Sequence, residues 1–301
     1  MYAGAEVAMK LPNIDMGLRL WATLAEKGWI PARFVVRTGR FYYAPPGIVE
    51  LDGPADQRQR MFEQVARTWQ GLGTQEPYWS VLTDPRYMAS RIAATRDEFY
   101  ASGKGCLSLI EAFFARSGQD LGAVRSVLEL GCGVGRESIA LAGRFGQVVA
   151  VDVSAAHLAI ARQAAARQRC ANLQFIELAS IEAAAALPAC DFFYSHLALQ
   201  HNPPPVILEI LSHAFARIRP GGHALFQVPT FRKGYRFTWR EQLARQEGTG
   251  MEMHVVPQAA LHALMRRCGL DLLELQEDRA TGDPDTISNT FFARRSMNES
   301  R

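Results

Sequence analysis

No segment of the 301-residue chain has the roughly 18 consecutive apolar positions that a membrane span needs. Glu6, Lys10 and Asp15 interrupt the start of the chain, where a secretion signal would be apolar. The five cysteines are scattered and form no CxxC pair, which predicts reduced thiols and a cytoplasmic location. The formal net charge is only +3, which argues against nucleic acid or an anionic membrane as the partner.

The composition is that of a globular protein, with 48% hydrophobic and 21% charged residues. Residues 33–44 are rich in aromatic and β-branched side chains and predict a strand pair. A helix is predicted from Pro54 to Gly71, and a second helical stretch covers 91–117 with an interruption near Gly103. We therefore predict that residues 1–120 form an N-terminal helical cap that covers the substrate site.

From residue 124 onward, apolar strands alternate with helices. Five strands are predicted within 124–229, and each of the first four is followed by a helix, which is short and Ala-rich after the third strand. Two further strands at 271–277 and 286–295 are joined by a turn without a helix. This order predicts an α/β domain over 121–301, with a seven-stranded, mostly parallel sheet, helices on both faces and an antiparallel terminal hairpin. The stretch 230–257 is too long for a simple connection and is interpreted as an insertion that forms a substrate lid.

A glycine-rich loop, Gly131-Cys132-Gly133-Val134-Gly135, follows the first of these strands and opens a helix. Loops of this kind let a ligand approach the backbone, and we expect free backbone amides to face the ligand's polar atoms. Asp152 ends the next strand, 23 residues after Glu129, where a carboxylate can accept hydrogen bonds from the hydroxyls of a ribose. The loop therefore predicts a nucleoside-containing cofactor.

Two cofactors fit a loop of this kind. A dinucleotide site requires its third glycine at position 136, and the chain has Arg136 there. Glu129, just before the loop, would repel a pyrophosphate but would attract the ammonium group of a methionine moiety. The spacing favours S-adenosylmethionine over a dinucleotide.

Four motifs in this order resemble those of class I S-adenosylmethionine-dependent methyltransferases, which have a Rossmann-like fold. They are VLELGCGVG, VVAVDVS, DFFYSHLALQH and the Pro-Gly-Gly turn before HALFQVP, and the terminal hairpin extends the resemblance over 124–295. The resemblance implies S-adenosylmethionine as cofactor, with Ser180 in the place of an aspartate that often takes the adenine amino group. The residues implied to line its pocket are Glu129, Gly131, Cys132, Gly133, Gly135, Asp152, Val153, Ser180, Ser195 and His196.

Methyl transfer requires above all that the acceptor be held in line with the methyl group, and a hydroxyl acceptor also benefits from a general base. His201 is a candidate base because its segment leaves the carboxyl end of the fourth strand, although it can equally cap the following helix. His254 is the second candidate, and Glu252 two residues earlier is expected to orient it or the acceptor. His196 is interpreted as a wall of the cofactor pocket rather than a catalyst.

The segment 231–240 interleaves aromatic and basic side chains, among them Arg232 and Tyr235. It either forms a wall for a ring-bearing or anionic substrate or is an amphipathic segment with its aromatic side chains inward. Aromatic residues of the N-terminal part, namely Tyr78, Trp79 and Tyr100, are expected to close over the pocket or to pack against the sheet. The sequence predicts no metal site.

The predicted activity is methyl transfer to an oxygen or nitrogen atom of a small molecule or glycan. A non-catalytic scaffold with the same fold is the alternative from another class of protein, and the intact glycine loop and Asp152 argue against it. An oxidoreductase that uses a dinucleotide is a further alternative. The sequence does not determine the acceptor or the oligomeric state.

Overall fold

The computed structural model describes residues 48–245 and 250–297. The strand pair predicted at 33–44 lies outside these ranges, as do residues 1–47 of the predicted cap. No helix in the described ranges is both long enough and apolar enough to cross a membrane.

A seven-stranded sheet forms the centre of the protein, with strand order β3-β2-β1-β4-β5-β7-β6. The strands β1 to β5 are parallel to one another, and β7 pairs antiparallel with both β5 and β6. This confirms the predicted seven-stranded, mostly parallel sheet with its antiparallel terminal hairpin. The strands are β1 (Ser126–Leu130), β2 (Gln147–Asp152), β3 (Leu173–Glu177), β4 (Cys190–Ser195), β5 (Ile218–Arg232), β6 (Leu270–Asp278) and β7 (Thr286–Arg295).

Eight helices surround the sheet in the described part of the chain: α1 (Ala55–Gln75), α2 (Ile92–Ser102), α3 (Gly105–Arg116), α4 (Arg136–Ala142), α5 (Ala155–Arg167), α6 (Pro204–Ala216), α7 (Trp239–Ala244) and α8 (Gln258–Arg267). The predicted interruption near Gly103 separates α2 from α3. The helix α6 begins with two prolines, which the first turn tolerates because its N–H groups have no partner within the helix.

Apolar side chains cover both faces of the sheet, as expected for strands buried between two layers of helices. Alternate residues of one strand enter different cores: Phe193 packs in one cluster, and its neighbour Phe192 packs in another with Phe113 and Phe114 of α3. Met61 and Phe62 of α1 are fully buried in the first cluster. The helices α1 and α3 therefore share their buried side chains with the sheet.

The strand β5 is longer than predicted. It begins at Ile218, so the Pro-Gly-Gly segment lies within the strand, at a shift of register between β4 and β5. It also continues to Arg232, since Phe231 and Arg232 pair with β7 beyond the end of β4. The predicted insertion 230–257 is therefore shorter and starts at residue 233. The Ala-rich helix predicted after the third strand is a 3-10 turn, Glu182–Ala186.

In the insertion, the aromatic side chains point inward. Tyr235, Phe237 and Trp239 pack against the main core cluster, and Phe237 pairs with Val49 in an isolated bridge. Arg236 forms an exposed ion pair with Glu241. The segment is thus amphipathic, with its apolar side buried and its charges at the surface.

Candidate active site

A cavity of about 330 Å³ lies at the carboxyl ends of β1, β2 and β4. Strand order reverses between β1 and β4, since β2 and β3 lie on one side of this pair and β5 on the other. In open α/β sheets, the crevice at such a reversal is where ligands bind. The volume lies within the range of small-molecule sites.

The glycine loop forms the floor of this cavity. Gly131 has φ of +82°, and a Cβ atom there would lie 2.0 Å from Cβ of Ala198. Gly133 has φ of +52°, and its Cβ would lie 2.5 Å from Cγ2 of Val81. Glycine is therefore required at both positions by the backbone conformation and by the protein's own packing.

The expectation that the amides of this loop are free for a ligand is wrong for four of its residues, one of which is Gly135, whose amide donates to the carbonyl of Cys132. The amides of Gly131 and Cys132 both donate to the carbonyl of Val151, and the amide of Gly133 donates to Oδ2 of Asp152 at 2.7 Å. The loop therefore satisfies these donors internally, and side chains must supply much of the polar recognition of a ligand.

Glu129 lies on β1 and lines the cavity. The residue is only 3% exposed, and its Oε2 has no hydrogen-bond partner. Burial raises the pKa of this carboxyl to about 8. A buried acceptor without a partner costs free energy, so a ligand that brings a cation to Glu129 would gain affinity. The site thus fits the ammonium group of the expected cofactor.

Arg136 is the first residue of α4 and lines the same cavity. Its guanidinium pairs with Glu137 at 2.5 Å, and its Nε atom is buried without a partner. An unpartnered donor at Arg136 and an unpartnered acceptor at Glu129 together complement the carboxylate and ammonium groups of an amino acid. In the sequence, Arg136 speaks only against a dinucleotide, and a cation directly after the glycine loop is the signal for this second role.

Asp152 ends β2 and lines the cavity together with Val153. Its Oδ2 accepts from the Gly133 amide, and its Oδ1 accepts from the Ser154 amide at 2.9 Å. Each carboxylate oxygen keeps a second lone pair, so Asp152 can still accept hydrogen bonds from ribose hydroxyls. The two backbone contacts hold the carboxylate in place for that purpose.

His196 directly follows β4 and lines the cavity. Its Nδ1 lies 3.3 Å from Oε1 of Glu137, and the other oxygen of Glu137 accepts from the Tyr194 hydroxyl at 2.8 Å. Burial alone would raise the pKa of Glu137, but His196, Arg136 and Tyr194 together lower it to about 2. The glutamate is therefore ionised and acts only as an acceptor.

His201 also lines the cavity, at the end of the 3-10 turn Leu199–His201. Its Nδ1 lies 2.9 Å from the carbonyl oxygen of Glu252 and so carries the proton in that hydrogen bond. The ring lies 5.0 Å from the ring of Trp69, centroid to centroid. Burial lowers the pKa of His201, which keeps the imidazole neutral.

His254 lies behind the cavity rather than on its surface. It is 3% exposed, and both ring nitrogens are engaged: Nδ1 with the Tyr235 hydroxyl at 2.9 Å and Nε2 with Oε2 of Glu252 at 3.1 Å. Glu252 also accepts from Gln242 and Arg245, and its bond to His254 makes the largest contribution to lowering its pKa to about 2. These contacts fasten the two ends of the insertion to each other.

Ser195, Ser180, Tyr100 and Arg232 are not among the residues that line the cavity. Ser195 donates to the carbonyl of Leu130, and the Ser180 hydroxyl accepts from the amide of Ala183. Tyr100 donates to the carbonyl of Val134, and Arg232 forms an ion pair with Asp283 at 3.4 Å.

Tyr78 and Tyr100 pack with Phe99 in a buried aromatic cluster. Trp79 is half-buried and does not line the cavity, whereas the residues directly after it, 80–83, do. The structure therefore brings the predicted N-terminal segment to the cavity, but through different residues from those that the sequence indicated.

The two sides of the cavity differ in chemistry. The side that we name the strand-end wall consists of Glu129, Gly131, Arg136, Asp152 and His196. The side that we name the apolar wall consists of Val65, Trp69, Leu82, Met251 and Met253. The residues of the apolar wall were missed by the sequence argument, because an apolar side chain on a helix or in an insertion has no local feature that separates lining from core packing.

Comparisons with known proteins agree with this geometry. Residues 127–222 match the family described as "Methyltransferase domain". A solved structure of magnesium protoporphyrin IX methyltransferase (ChlM) from Synechocystis PCC 6803 with bound S-adenosylhomocysteine (SAH) is similar at a TM-score of 0.54 and 16% identity, over 78% of this chain and 100% of that chain. N-methyltransferase NodS from Bradyrhizobium japonicum WM9, also with bound SAH, is similar at a TM-score of 0.50 and 15% identity, over 77% of this chain and 98% of that chain. A search of curated protein sequences finds no match.

Proposed function

We propose that this chain, which is a class I S-adenosylmethionine-dependent methyltransferase, methylates an oxygen or nitrogen atom of a ring-bearing small molecule with an apolar body. The observation that carries the proposal is the composition of the cavity, which is lined both by the strand-end wall, with two buried polar atoms that have no partner, and by the apolar wall. The first wall suits the methyl donor, and the second suits the body of the acceptor.

Bound S-adenosylmethionine supplies an electrophilic methyl group on a sulfonium. In this proposal Glu129 binds its ammonium group and Arg136 its carboxylate, because each has a buried polar atom without a partner. Asp152 binds the ribose hydroxyls, and Val153 packs against the adenine. These side chains hold the donor in one orientation, which is the main requirement of an in-line displacement.

The apolar wall provides surface for a ring system but no charge. Trp69 offers an aromatic face, and Met251 and Met253 offer flexible thioether side chains that adapt to an irregular shape. Asn202 also lines the cavity, and its Oδ1 is buried without a partner, so it can accept a hydrogen bond from a hydroxyl or amine of the acceptor. His201 contributes a neutral imidazole beside it. A glycan acceptor is a second candidate because a sugar can also stack on Trp69.

Binding and turnover test this proposal in sequence. Calorimetry with S-adenosylmethionine measures donor binding, and transfer of a labelled methyl group is then measured against a panel of phenols, aromatic amines and oligosaccharides. We expect donor binding and acceptor-dependent labelling among the ring-bearing compounds. Labelling only of oligosaccharides would overturn the small-molecule proposal in favour of the glycan.

Asp152→Ala serves as the control for donor binding in the same experiment. We expect it to weaken binding by about 1–3 kcal/mol, because hydrogen bonds to a charged group are lost. Donor binding by the native chain without transfer to any member of the panel would support a non-catalytic scaffold. Binding of NADH in place of S-adenosylmethionine would support the dinucleotide alternative.

A further inference from the structure

Glu137 and His196 form a buried carboxylate–imidazole pair at the edge of the cavity. The side chain of Glu137 is 9% exposed and that of His196 is 22% exposed, with 3.3 Å between Oε1 and Nδ1. The hydroxyl of Tyr194 and the guanidinium of Arg136 contact the same carboxylate. Glu137 is therefore buried and held by three side chains, whereas His196 reaches the cavity.

The ionised carboxylate determines which nitrogen of His196 carries the proton. Since Glu137 can only accept, Nδ1 of His196 must donate in their hydrogen bond. In the neutral ring, Nε2 then holds the lone pair, and no described residue makes a hydrogen bond to Nε2 of His196. The arrangement leaves one basic nitrogen of His196 available to a bound molecule.

The two histidines of the cavity differ in their capacity to hold a proton. A positive charge on His196 would lie beside the carboxylate of Glu137, which favours the charged form. His201 has a backbone carbonyl, the Gln200 amide and the Trp69 ring around it, and burial lowers its pKa. His196 is thus the better acceptor of a proton during turnover, and His201 is better suited to remain neutral.

The backbone after His196 is held in a sparsely populated conformation. Leu197 has φ of +58°, which is uncommon for a residue other than glycine, and its amide donates to Oε1 of Gln227 at 3.2 Å. Such strain persists only where the surrounding structure enforces it, and it concentrates at functional sites. This turn fixes the direction in which the chain leaves β4 at His196.

We propose that His196 accepts the proton of the methyl acceptor and that Glu137 is its positioning residue, an inference that rests on the function proposed above. A lone pair of the acceptor's oxygen or nitrogen forms the new bond to the methyl carbon, and the carbon–sulfur bond breaks with its electron pair going to sulfur. The acceptor's proton moves to Nε2 of His196, and the imidazolium is balanced by Glu137 until the proton passes to solvent.

The tautomer and the titration of His196 can be measured without knowing the acceptor. The full-length protein is labelled with ¹⁵N-histidine, S-adenosylhomocysteine is added, and ring resonances are followed against pH; His196→Asn identifies the resonances of His196. We expect neutral His196 to carry its proton on Nδ1. In Glu137→Gln the carboxylate that can only accept is replaced by an amide that can also donate, so we expect the preference for the Nδ1–H tautomer to be lost.

The charged groups near the pair are Arg136 on α4 and Glu129 on β1. Glu111→Gln, on the exposed side of α3, is the matched control and should leave His196 unchanged. Tyr194→Phe removes the hydroxyl bond to Glu137 but keeps the carboxylate, so the Nδ1–H tautomer should persist. A neutral His196 with its proton on Nε2, or a tautomer that Glu137→Gln does not change, would overturn the assignment.

Once a panel compound is methylated, single-turnover rates provide the second test. We expect His196→Asn to lower the rate about 100-fold or more at saturating S-adenosylmethionine. Glu137→Gln should move the acidic limb of the rate profile to lower pH, whereas His213→Asn on α6 should leave rate and profile unchanged. A full methylation rate in His196→Asn would refute the role of His196. If His196 shows the expected tautomer but no panel compound is methylated, the proposed function is refuted instead.

Discussion

The two walls of the cavity are built in different ways. The strand-end wall comes from short segments at the ends of adjacent strands, and Glu129 and Arg136 each carry a buried polar atom without a partner. The apolar wall joins α1 and the loop after it to the insertion, about 170 residues further along the chain, and consists of apolar side chains such as Trp69 and Met253. A buried polar atom without a partner selects a complementary ligand, whereas apolar surface accepts many shapes.

This difference explains why the donor of the methyl group is readily identified and the acceptor is not. A buried carboxylate such as Glu129 has few partners that would satisfy it, and an ammonium group is one of them. Burial of apolar ligand surface against the apolar wall favours binding in any orientation, because the hydrophobic effect is non-directional. Its specificity depends on a few polar atoms beside it, among them Oδ1 of Asn202.

The largest effect on stability and donor binding is expected from a substitution in the glycine loop, where the strand-end wall is formed by backbone without side chains. Gly131→Ala would place a Cβ atom 2.0 Å from that of Ala198 at φ of +82°. Strain and overpacking together should cost about 3 kcal/mol of unfolding free energy and weaken donor binding. Gly118→Ala is the matched control, since Gly118 also has positive φ but no atom within 4 Å; urea unfolding should show a cost of about 1 kcal/mol there. Equal costs would mean that the contact with Ala198 is unimportant.

A smaller effect, on donor affinity, is expected when the carboxyl group of Glu129 in the strand-end wall is replaced. Glu129→Gln keeps the size of the side chain but removes the anion, and we expect it to weaken S-adenosylmethionine binding about 10- to 100-fold. Unfolding free energy near pH 7 should rise, because the native chain must protonate Glu129 on folding there, whereas Gln needs no proton. Calorimetry measures the affinity, with Glu111→Gln as control. An unchanged affinity would contradict the ammonium contact.

The pH dependence of donor binding should follow from the same carboxyl. Burial raises the pKa of Glu129 to about 8, and an ammonium ligand requires the ionised form. Affinity should therefore rise between about pH 6 and pH 8, by at most tenfold per unit, with release of a proton that calorimetry in different buffers detects. Glu129→Gln should abolish this release; a release that persists must come from another group.

The stability of the unliganded protein should change in the opposite direction. Between the ordinary pKa of 4.5 and the raised value near 8, folded Glu129 holds a proton that the unfolded chain has lost. Unfolding free energy should therefore fall as pH rises through this window, and Glu129→Gln should reduce the slope. Urea unfolding at several pH values measures it, and a slope unaltered by the substitution would place the titration elsewhere.

The smallest effect on stability and donor affinity is expected from a substitution outside both walls. Arg232 is 42% exposed and pairs with Asp283 at the surface. Arg232→Ala should change stability by less than about 0.5 kcal/mol, as is typical of exposed ion pairs, and leave donor affinity within twofold. Thermal unfolding and calorimetry check both. A rise in the KM of an identified acceptor would instead support the substrate contact that the sequence predicts for Arg232.

Much of the fold could be predicted because its signals are local. The terminal hairpin follows from two strand patterns without a helix between them, and β6 and β7 match the predicted strands within one residue. The extra length of β5 could not be predicted, since Phe231 and Arg232 are strand residues only because β7 lies beside them. The same holds for His254, whose position behind the cavity depends on bonds to Tyr235 and Glu252.

By itself, the sequence determined the strand–helix alternation, the bend at Gly131 and Gly133 and the acids at the ends of β1 and β2, because strand periodicity and glycine conformation are properties of a few adjacent residues. Only the tertiary structure decided which side chains line the cavity. It brought Met253 and Glu129 to the same cavity, occupied the loop amides with Val151 and Asp152, and set the carboxylate of Glu137 beside His196. Contacts of this kind depend on how distant segments pack, which short stretches of sequence do not encode.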